Sequence, residues 1–169
     1  MPLRLTGSYR LKLDGKGRIS IPIEIRRQIE AEKLGTAFYF NVGLNERIWG
    51  YPSASYEAWL DLVPRNMNPE EPEMEYRLLQ SSAMKTPWDE QGRVVVPDDL
   101  RAQINVGDDV ALVGSIDHVE LWRYSEWTEH RAKLWKSAPS VVKKWKESAK
   151  PAAAASGGES PGKAAETAV

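Results

Sequence analysis

Residues 13–26 read LDGKGRISIPIEIR, and residues 88–101 read WDEQGRVVVPDDLR. Five positions carry the same residue again 75 positions later: Asp14, Gly17, Arg18, Pro22 and Arg26 correspond to Asp89, Gly92, Arg93, Pro97 and Arg101. Apolar β-branched side chains fill several of the positions between them. A repeat of this kind predicts that one supersecondary unit occurs twice in the chain.

The composition excludes several classes of protein. The 169 residues, 41% of them hydrophobic, suffice for one domain or two small ones. The chain has no cysteine, which excludes disulfides, thiol catalysis and thiolate metal sites, and which fits a reducing cytosol. No apolar run approaches the roughly 20 residues that span a bilayer, and residues 1–10 lack the apolar block of a secretion signal. We therefore expect a cytoplasmic protein without membrane contact.

The charge is unevenly distributed along the chain. The net charge is −1, which alone does not favour binding to nucleic acid. Residues 1–27, however, carry seven basic and two acidic side chains, a net charge of +5, whereas residues 61–75 carry a net charge of −4. This asymmetry allows a basic face on a nearly neutral molecule.

The first copy of the repeat has the pattern of two strands joined by a turn. Apolar and polar side chains alternate over residues 8–13, as in a half-buried strand. Residues 14–17, Asp-Gly-Lys-Gly, are turn formers, and residues 19–21 continue the alternation, which predicts a hairpin. Pro22 removes a backbone donor, so we expect the strand to end there and a short helix to follow over about residues 22–30.

The second copy repeats this pattern, and the likeness extends beyond the motif. Pro97 precedes two aspartates, which the dipole of a following helix favours. Residues 39–43 then correspond to residues 110–114 at an offset of 71. Each unit is therefore predicted to run strand, turn, strand, short helix, strand, turn, strand, helix. The predicted fold class is mainly β with short helices (α+β).

Two helices and a tail complete the predicted organisation. A linking helix is predicted to begin after Asn68, which has the residue type of a helix cap. Residues 126–148 are amphipathic and basic, with Pro139 as an interruption. The tail has no large apolar residue before its terminal valine, which predicts disorder. The chain is thus divided into a first unit, a second unit with the linking and C-terminal helices, and a disordered tail: residues 1–67, 68–148 and 149–169.

The sequence offers no catalytic constellation. The two histidines, His118 and His130, are far apart along the chain and are interpreted as ordinary surface residues. No metal-binding, phosphate-loop or nucleophile-elbow motif is present. We therefore expect a protein that is not an enzyme and that uses no cofactor, metal ion or small-molecule substrate.

The repeated motif supports a structural and a functional role side by side. We favour a turn-shaping role for Asp14 and Asp89, since an aspartate accepts hydrogen bonds from the backbone of its own turn. We favour a structural role for Gly17 and Gly92 as well, since glycine adopts positive φ freely. An arginine after such a turn could simply pair with the aspartate. Its planar fork also matches a phosphate or the edge of guanine. The residues predicted to contact DNA are therefore Arg18, Arg93, Lys16, Gln91 and Lys12.

The two motifs resemble those of the MraZ family of bacterial transcriptional regulators. The likeness covers about residues 5–147 and rests on LDGKGRISIP in the first copy and DEQGRVVVP in the second. Segments outside the motifs agree as well, including residues 41–44, 76–79 and 120–122. A single motif is also similar to AbrB-type DNA-binding domains.

The resemblance implies a double-split β-barrel of two AbrB-like halves related by a pseudo-two-fold repeat. It also implies a ring-shaped homo-oligomer that is associated with the nucleoid. This ring would bind double-stranded DNA at short tandem boxes upstream of its own operon, the division and cell-wall gene cluster, and repress it. Trp49-Gly50 departs from the family's aliphatic run and predicts a bend in that strand. The alternative is a non-enzymatic oligomeric interaction module in which the Asp–Arg pairs are purely structural.

Overall fold

A computed structural model describes residues 3–43, 47–62 and 80–148. The prediction of a mainly β protein with several helices is confirmed. Residues 80–82 are helical, but the linking helix predicted after Asn68 falls largely outside the described residues, as does the tail 149–169. The elements are, in chain order, β1 (Ser8–Lys12), β2 (Arg18–Ser20), α1 (Ile23–Ala31), β3 (Ala37–Val42), β4 (Ile48–Pro52), α2 (Ser53–Leu62), β5 (Met84–Pro87), β6 (Arg93–Val95), α3 (Asp98–Ile104), β7 (Asp109–Ser115), β8 (His118–Arg123) and α4 (Tyr124–Ser148).

The strands form two antiparallel sheets. Six of them lie in the order β1-β7-β8-β4-β3-β5, and β2 pairs with β6 in a separate two-stranded ribbon. Neither sheet closes into a barrel within the described residues. The predicted hairpin is wrong beyond its turn, because β1 and β2 enter different sheets. The backbone bonds that flank the turn run to the other copy, from Leu13 N–H to Asp108 C=O and from Ile21 N–H to Gly92 C=O.

The two copies exchange strands. Strand β1 of the first copy pairs with β7 of the second, with Ser8 opposite Val113. Strand β5 of the second copy pairs with β3 of the first in the corresponding way, with Ala37 opposite Pro87. The division at residues 67 and 68 stays a prediction about the repeat. In the structure one compact unit is Met1–His130 and a second is Arg131–Val169.

Both short helices begin directly after the repeated prolines. Pro22 and Pro97 are the N-cap residues of α1 and α3, so the helix predicted over residues 22–30 is found one residue further along. Each helix buries two apolar side chains four residues apart, as expected of one helical face. These are Ile25 and Ile29 in α1, and Leu100 and Ile104 in α3.

One hydrophobic core lies under both sheets and the short helices. The ribbon contributes Ile19 and Val94, and strand β3 contributes Phe38 and Phe40, all of them buried. Trp88 packs partly buried against this core, with its ring 5.5 Å from that of Phe38. A core of this kind holds the ribbon by its inner face and leaves the outer face to solvent.

Strand β4 crosses Trp49-Gly50 without a break in its pairing register, and the predicted bend stays a prediction. A Cβ at Gly50 would lie 2.9 Å from Cε1 of Phe40 and 3.0 Å from Cγ2 of Val119. Contacts this short require a glycine, because side chains from both neighbouring strands occupy the space. Close packing thus accounts for a glycine at this position of the strand.

The prediction of His118 as a surface residue is wrong, whereas His130 is exposed. The His118 ring lies 4.5 Å from the ring of Trp49 and 5.0 Å from that of Tyr51, because β4 and β8 are adjacent strands. Its Nδ1 lies 2.7 Å from Oδ1 of Asp117. The sequence prediction failed because polar residues surround His118 in the turn, whereas His118 is the first residue of the buried strand β8.

Helix α4 continues through Pro139, which was predicted to interrupt it. The proline removes one backbone donor of the helix, yet the turns on either side retain their helical pairing. Across residues 3–43, 47–62 and 80–148, no helix combines the length and the apolar character that crossing a membrane requires.

Candidate nucleic-acid interface

The first motif forms a tight turn around Asp14. The Oδ1 atom of Asp14 accepts hydrogen bonds from the backbone N–H groups of Lys16 and Arg18, each at 2.9 Å. Its Oδ2 atom accepts from Nε and Nη2 of Arg18, each at 2.7 Å. Gly17 completes the turn with a φ of 69°, which side chains rarely adopt. One carboxylate therefore fixes both the backbone of the turn and the side chain that leaves it.

The second motif reproduces this geometry. The Oδ1 atom of Asp89 accepts from the backbone N–H groups of Gln91 and Arg93, each at 2.9 Å. Its Oδ2 atom lies 2.8 Å from Nε and 2.7 Å from Nη2 of Arg93. Gly92 has a φ of 75°. The sequence repeat is thus a repeat of hydrogen bonds, with each arginine oriented by the aspartate four residues before it.

These contacts lower the pKa values of both aspartates. The hydrogen bond from the Arg18 side chain, followed by that from the Arg18 backbone, lowers the pKa of Asp14 to about 2. The same two groups of Arg93 lower the pKa of Asp89. Both carboxylates are therefore ionised at neutral pH, and each ion pair is present under physiological conditions.

The ribbon places the two arginines on one exposed face. Arg18 lies opposite Val95, and Ser20 lies opposite Arg93. These four residues point outward, whereas the central pair of the ribbon is buried. The two arginines are diagonal neighbours, which places their Cα atoms about 7–8 Å apart. The arginine side chains are 27% and 33% exposed, so the free side of each guanidinium reaches solvent.

The other predicted contact residues fall into two groups. Lys16 and Gln91 lie exposed in the two turns, next to the ribbon. Lys12 lies instead on β1 of the six-stranded sheet, with Nζ 3.5 Å from Oδ1 of Asp109. Arg10 on the same strand also binds Asp109, through Nε at 3.0 Å and Nη2 at 2.7 Å. The structure therefore gathers Arg18, Arg93, Lys16 and Gln91 around the ribbon and places Lys12 on the other sheet.

Two further repeated arginines cross between the copies, and the sequence interpretation gave them no role. Arg26 donates from Nε to the carbonyl of Ile21 at 3.3 Å, and Arg101 donates to the carbonyl of Val96 at 3.1 Å. The guanidinium group of Arg26 packs against Gly92, and that of Arg101 packs against Gly17, so each arginine contacts the turn of the other copy. A Cβ added at either glycine would overlap with the guanidinium group. The recurrence of the two arginines at the offset of 75 was the available signal.

The two copies differ in charge at these crossing arginines. Arg101 forms an ion pair with Asp98, whereas the corresponding position in the first copy is Ile23. Within the described part of the chain Arg26 has no ion pair, and Lys16 stands where the second copy has Gln91. Because each arginine packs on the turn of the other copy, Arg26 adds its charge beside the Gln91 turn, whereas Lys16 adds its charge at the turn beside Arg101.

The arrangement suits recognition of a hydrogen-bond acceptor. Each ribbon arginine uses Nε and Nη2 on its aspartate, and among the described residues none accepts a hydrogen bond from its Nη1. No group of three or more histidine, aspartate or glutamate side chains that could hold a metal ion occurs in residues 3–43, 47–62 and 80–148. An oriented guanidinium with free donors can bind a phosphate or a base edge.

One known family matches the chain twice, once over each copy of the repeat. The model of the family described as "MraZ protein, putative antitoxin-like" matches residues 5–75 and again residues 79–146. The chain belongs to the MraZ family. Each matched segment contains one Asp–Arg turn, so the two MraZ matches coincide with the two copies that exchange strands in the structure.

Three relatives in the MraZ family are between 26% and 34% identical to this chain over the aligned residues. The chain is 34% identical over 124 residues to the transcriptional regulator MraZ of Pseudoalteromonas translucida, which covers 72% of this chain and 80% of the relative. It is 32% identical over 126 residues to the protein of the same name from Lactiplantibacillus plantarum, covering 73% and 84%. The MraZ regulator of Caldicellulosiruptor saccharolyticus is 26% identical over 147 residues, covering 85% and 97%.

Proposed function

We propose that this protein is a sequence-specific DNA-binding regulator of transcription, acting in the cytoplasm at the nucleoid. The observation that carries the proposal is the pair of aspartate-oriented arginines, Arg18 and Arg93, on the exposed face of the β2–β6 ribbon. The names of the MraZ relatives as transcriptional regulators support the same function.

The dimensions of a two-stranded ribbon fit the major groove of B-DNA. This groove admits a β-ribbon and presents guanine O6 and N7 to an arginine. Nη1 of Arg18 and of Arg93 supplies donors for a base edge or a phosphate. Ser20 and Val95 share the outer face, and Val95 gives it an apolar contact suited to a thymine methyl group. Lys16 and Gln91 extend from the turns toward the DNA backbone on either side.

Affinity in this proposal comes from assembly. A single chain of net charge −1 touches few phosphates and binds weakly. We propose that the two halves form a double-split barrel and that the chains assemble into a ring, which repeats the ribbon at fixed spacing. Tandem DNA boxes upstream of the operon then engage several ribbons at once, which raises the effective concentration of each. Occupied boxes block transcription, so the protein acts as a repressor of the division and cell-wall genes.

A mobility shift on the DNA upstream of the protein's own gene tests this function. We expect Arg18→Ala to weaken binding about 10-fold or more, since a good arginine contact contributes about 1–3 kcal/mol. Arg10→Ala is the matched control, because Arg10 also pairs with an aspartate but lies on the six-stranded sheet. Equal losses in both variants, or full binding by a folded Arg18→Ala protein, would contradict a contact through the ribbon.

A second candidate is the non-enzymatic interaction module, in which the Asp–Arg pairs only stabilise the turns. The half-buried position of both arginines and the use of two donors on each aspartate favour it. It predicts that Arg18→Ala and Arg93→Ala lower the unfolding temperature and that the wild-type protein leaves its upstream DNA unshifted. Thermal unfolding of each variant, measured beside the mobility shift, therefore distinguishes the two functions.

A further inference from the structure

The compact unit Met1–His130 has an open apolar cavity on its surface, here called the aromatic groove. Its volume is about 380 Å³. The side chains of Trp49, Tyr51, Tyr56 and Trp59 line it, together with the carboxylate of Asp117. Trp59 remains 47% exposed, although it packs 5.7 Å from the ring of Tyr56. A large exposed aromatic side chain beside a cavity is typical of a surface that binds another molecule.

The second unit carries an apolar surface of its own. In helix α4, Leu134, Ala138, Val141, Val142 and Trp145 recur at the spacing of one helical face, here called the apolar helix face. Among these, Trp145 is 69% exposed and Leu134 is 46% exposed. Apolar side chains at this spacing are ordinarily buried against a partner. In the described structure all of these side chains except Ala138 are exposed, although their spacing is that of a buried helical face.

Charge distinguishes the possible partners of the apolar helix face. Residues 131–148 carry six basic side chains and one acidic side chain, a net charge of +5. Two such helices would repel each other, which argues against pairing of this face with its own copy in a second chain. DNA offers negative charge but no continuous apolar surface to cover Trp145 and Val141. A fitting partner is both apolar and acidic.

The aromatic groove has both properties. Its walls are tryptophan and tyrosine rings, and Asp117 is 67% exposed at its edge. Asp117 contacts His118 through Oδ1 and keeps its exposed side for a second cation. Lysine and arginine side chains around the apolar helix face can pair with this carboxylate, and their cations can also pack on the aromatic rings.

We propose that the apolar helix face of one chain docks in the aromatic groove of the next chain. The two surfaces differ, so the contact is heterologous: each chain donates its helix to one neighbour and its groove to the other. Repetition of a heterologous contact generates a closed ring or an open filament. The inference rests on the ring in the proposed function and adds the surfaces that build it.

Light scattering on the purified full-length chain gives the first test. We expect Trp145→Glu and Trp59→Glu each to reduce the mass of the assembly toward the 19.0 kDa of one chain. Lys143→Gln and Ala58→Glu are matched controls, because each changes the charge by the same amount at an exposed position, and Lys143 lies on the side of the helix opposite Val141 and Trp145. The controls should keep the wild-type mass.

Cross-linking identifies the contact directly, since the natural chain has no cysteine. Trp59→Cys and Trp145→Cys chains of different length are mixed, allowed to exchange subunits and treated with a bifunctional thiol reagent. We expect a cross-linked heterodimer from the mixture and none from either variant alone. A cross-link formed by Trp145→Cys alone would instead indicate helix-to-helix pairing and overturn the proposal.

The remaining outcomes separate this inference from the proposed function. If the wild-type protein assembles and both Trp145→Glu and Trp59→Glu keep its mass, the contact between helix and groove is wrong. The proposed ring and the proposed DNA contact would be unaffected by that result. Unchanged mass with a lowered unfolding temperature in Trp59→Glu would show that the chain itself fills the groove, which also overturns the contact between helix and groove. A monomeric wild type would remove the ring as well, while the Arg18→Ala mobility shift would still decide whether DNA is bound.

Discussion

The guanidinium group of Arg101 packs against Gly17 of the opposite turn, so closely that a Cβ on Gly17 would lie 2.5 Å from Nη2. The reciprocal contact joins Arg26 to Gly92, where an added Cβ would lie 2.5 Å from Cζ. Each turn that orients a ribbon arginine is therefore held from outside by a helix arginine of the other copy. The four arginines and two glycines of the repeat form one connected arrangement around the ribbon.

Replacement of Gly17 by alanine should be strongly destabilising. Its φ of 69° costs a side chain about 1–2 kcal/mol, and the Cβ would also displace Arg101 from its bond to the Val96 carbonyl. We expect the free energy of unfolding to fall by about 3 kcal/mol in total, measured by urea denaturation.

Two other glycines separate these causes. Gly107 has a φ of 70° but nothing within 4 Å of an added Cβ, so Gly107→Ala should cost only about 1 kcal/mol. Gly15 has neither a positive φ nor a near neighbour, so Gly15→Ala should be close to neutral. Equal losses for Gly17→Ala and Gly107→Ala would show that the contact with Arg101 contributes nothing.

The ion pair of Asp14 should make stability depend on pH in the acid range. The folded-state pKa of about 2 lies below the ordinary value of 3.8, so the contribution is complete above about pH 4 and is lost as the pH falls toward 2. We expect Asp14→Asn to lower the urea midpoint at pH 7 and the difference from wild type to shrink below pH 4. A difference that stays constant down to the lowest pH at which both proteins fold would contradict this assignment.

Ile116 is a β-branched residue in the left-handed region, with a φ of 63°, and its side chain is 71% exposed. Two backbone hydrogen bonds to Leu5 hold it there. Ile116→Gly should therefore raise the free energy of unfolding by about 1 kcal/mol through relief of this strain. Ile116→Ala, which keeps the Cβ, should gain much less, and an equal gain in both variants would show that the exposed side chain rather than the backbone is the cause. Thermal and urea unfolding provide the measurement.

The two turns should contribute unequally to the salt dependence of DNA binding. Each phosphate contact adds about 0.9 to the slope of log affinity against log salt concentration. Lys16→Gln should reduce this slope by about one for every engaged ribbon, and the reciprocal Gln91→Lys should increase it by the same amount. Titrations of the upstream DNA at several salt concentrations measure both slopes. Identical slopes in the two variants would place the turns away from the phosphates.

Much of the fold could be predicted from local chemistry. The short helices after Pro22 and Pro97 and the Asp-Gly turns follow from backbone preferences within a few residues, and the structure contains them. The pairing partners could not be predicted in this way, because β1 and β2 are adjacent in sequence yet pair with strands about 75 to 100 residues away. His118 was misjudged for the same reason, since its burial depends on two rings from strand β4.

The candidate site shows the same division. The orientation of Arg18 by Asp14 is a contact over four residues and could be inferred from their spacing. The packing of Arg101 on Gly17 links residues 84 positions apart, so only the three-dimensional arrangement shows why these arginines recur. The placement of Lys12 on the other sheet likewise depends on the separation of β1 from β2.

The exchange of strands between the copies has a consequence for synthesis. Strand β1 finds its partner only when residues up to Ser115 are available, because Ser8 lies opposite Val113. Contacts this distant in sequence give a high contact order, which slows folding. The first copy must therefore leave the ribosome with an unpaired strand and wait, at the usual pace of synthesis, for several seconds or more. During that interval β1 can pair instead with the β7 strand of another chain that has not finished folding, so we expect co-translational yield to fall when synthesis is fast and crowded.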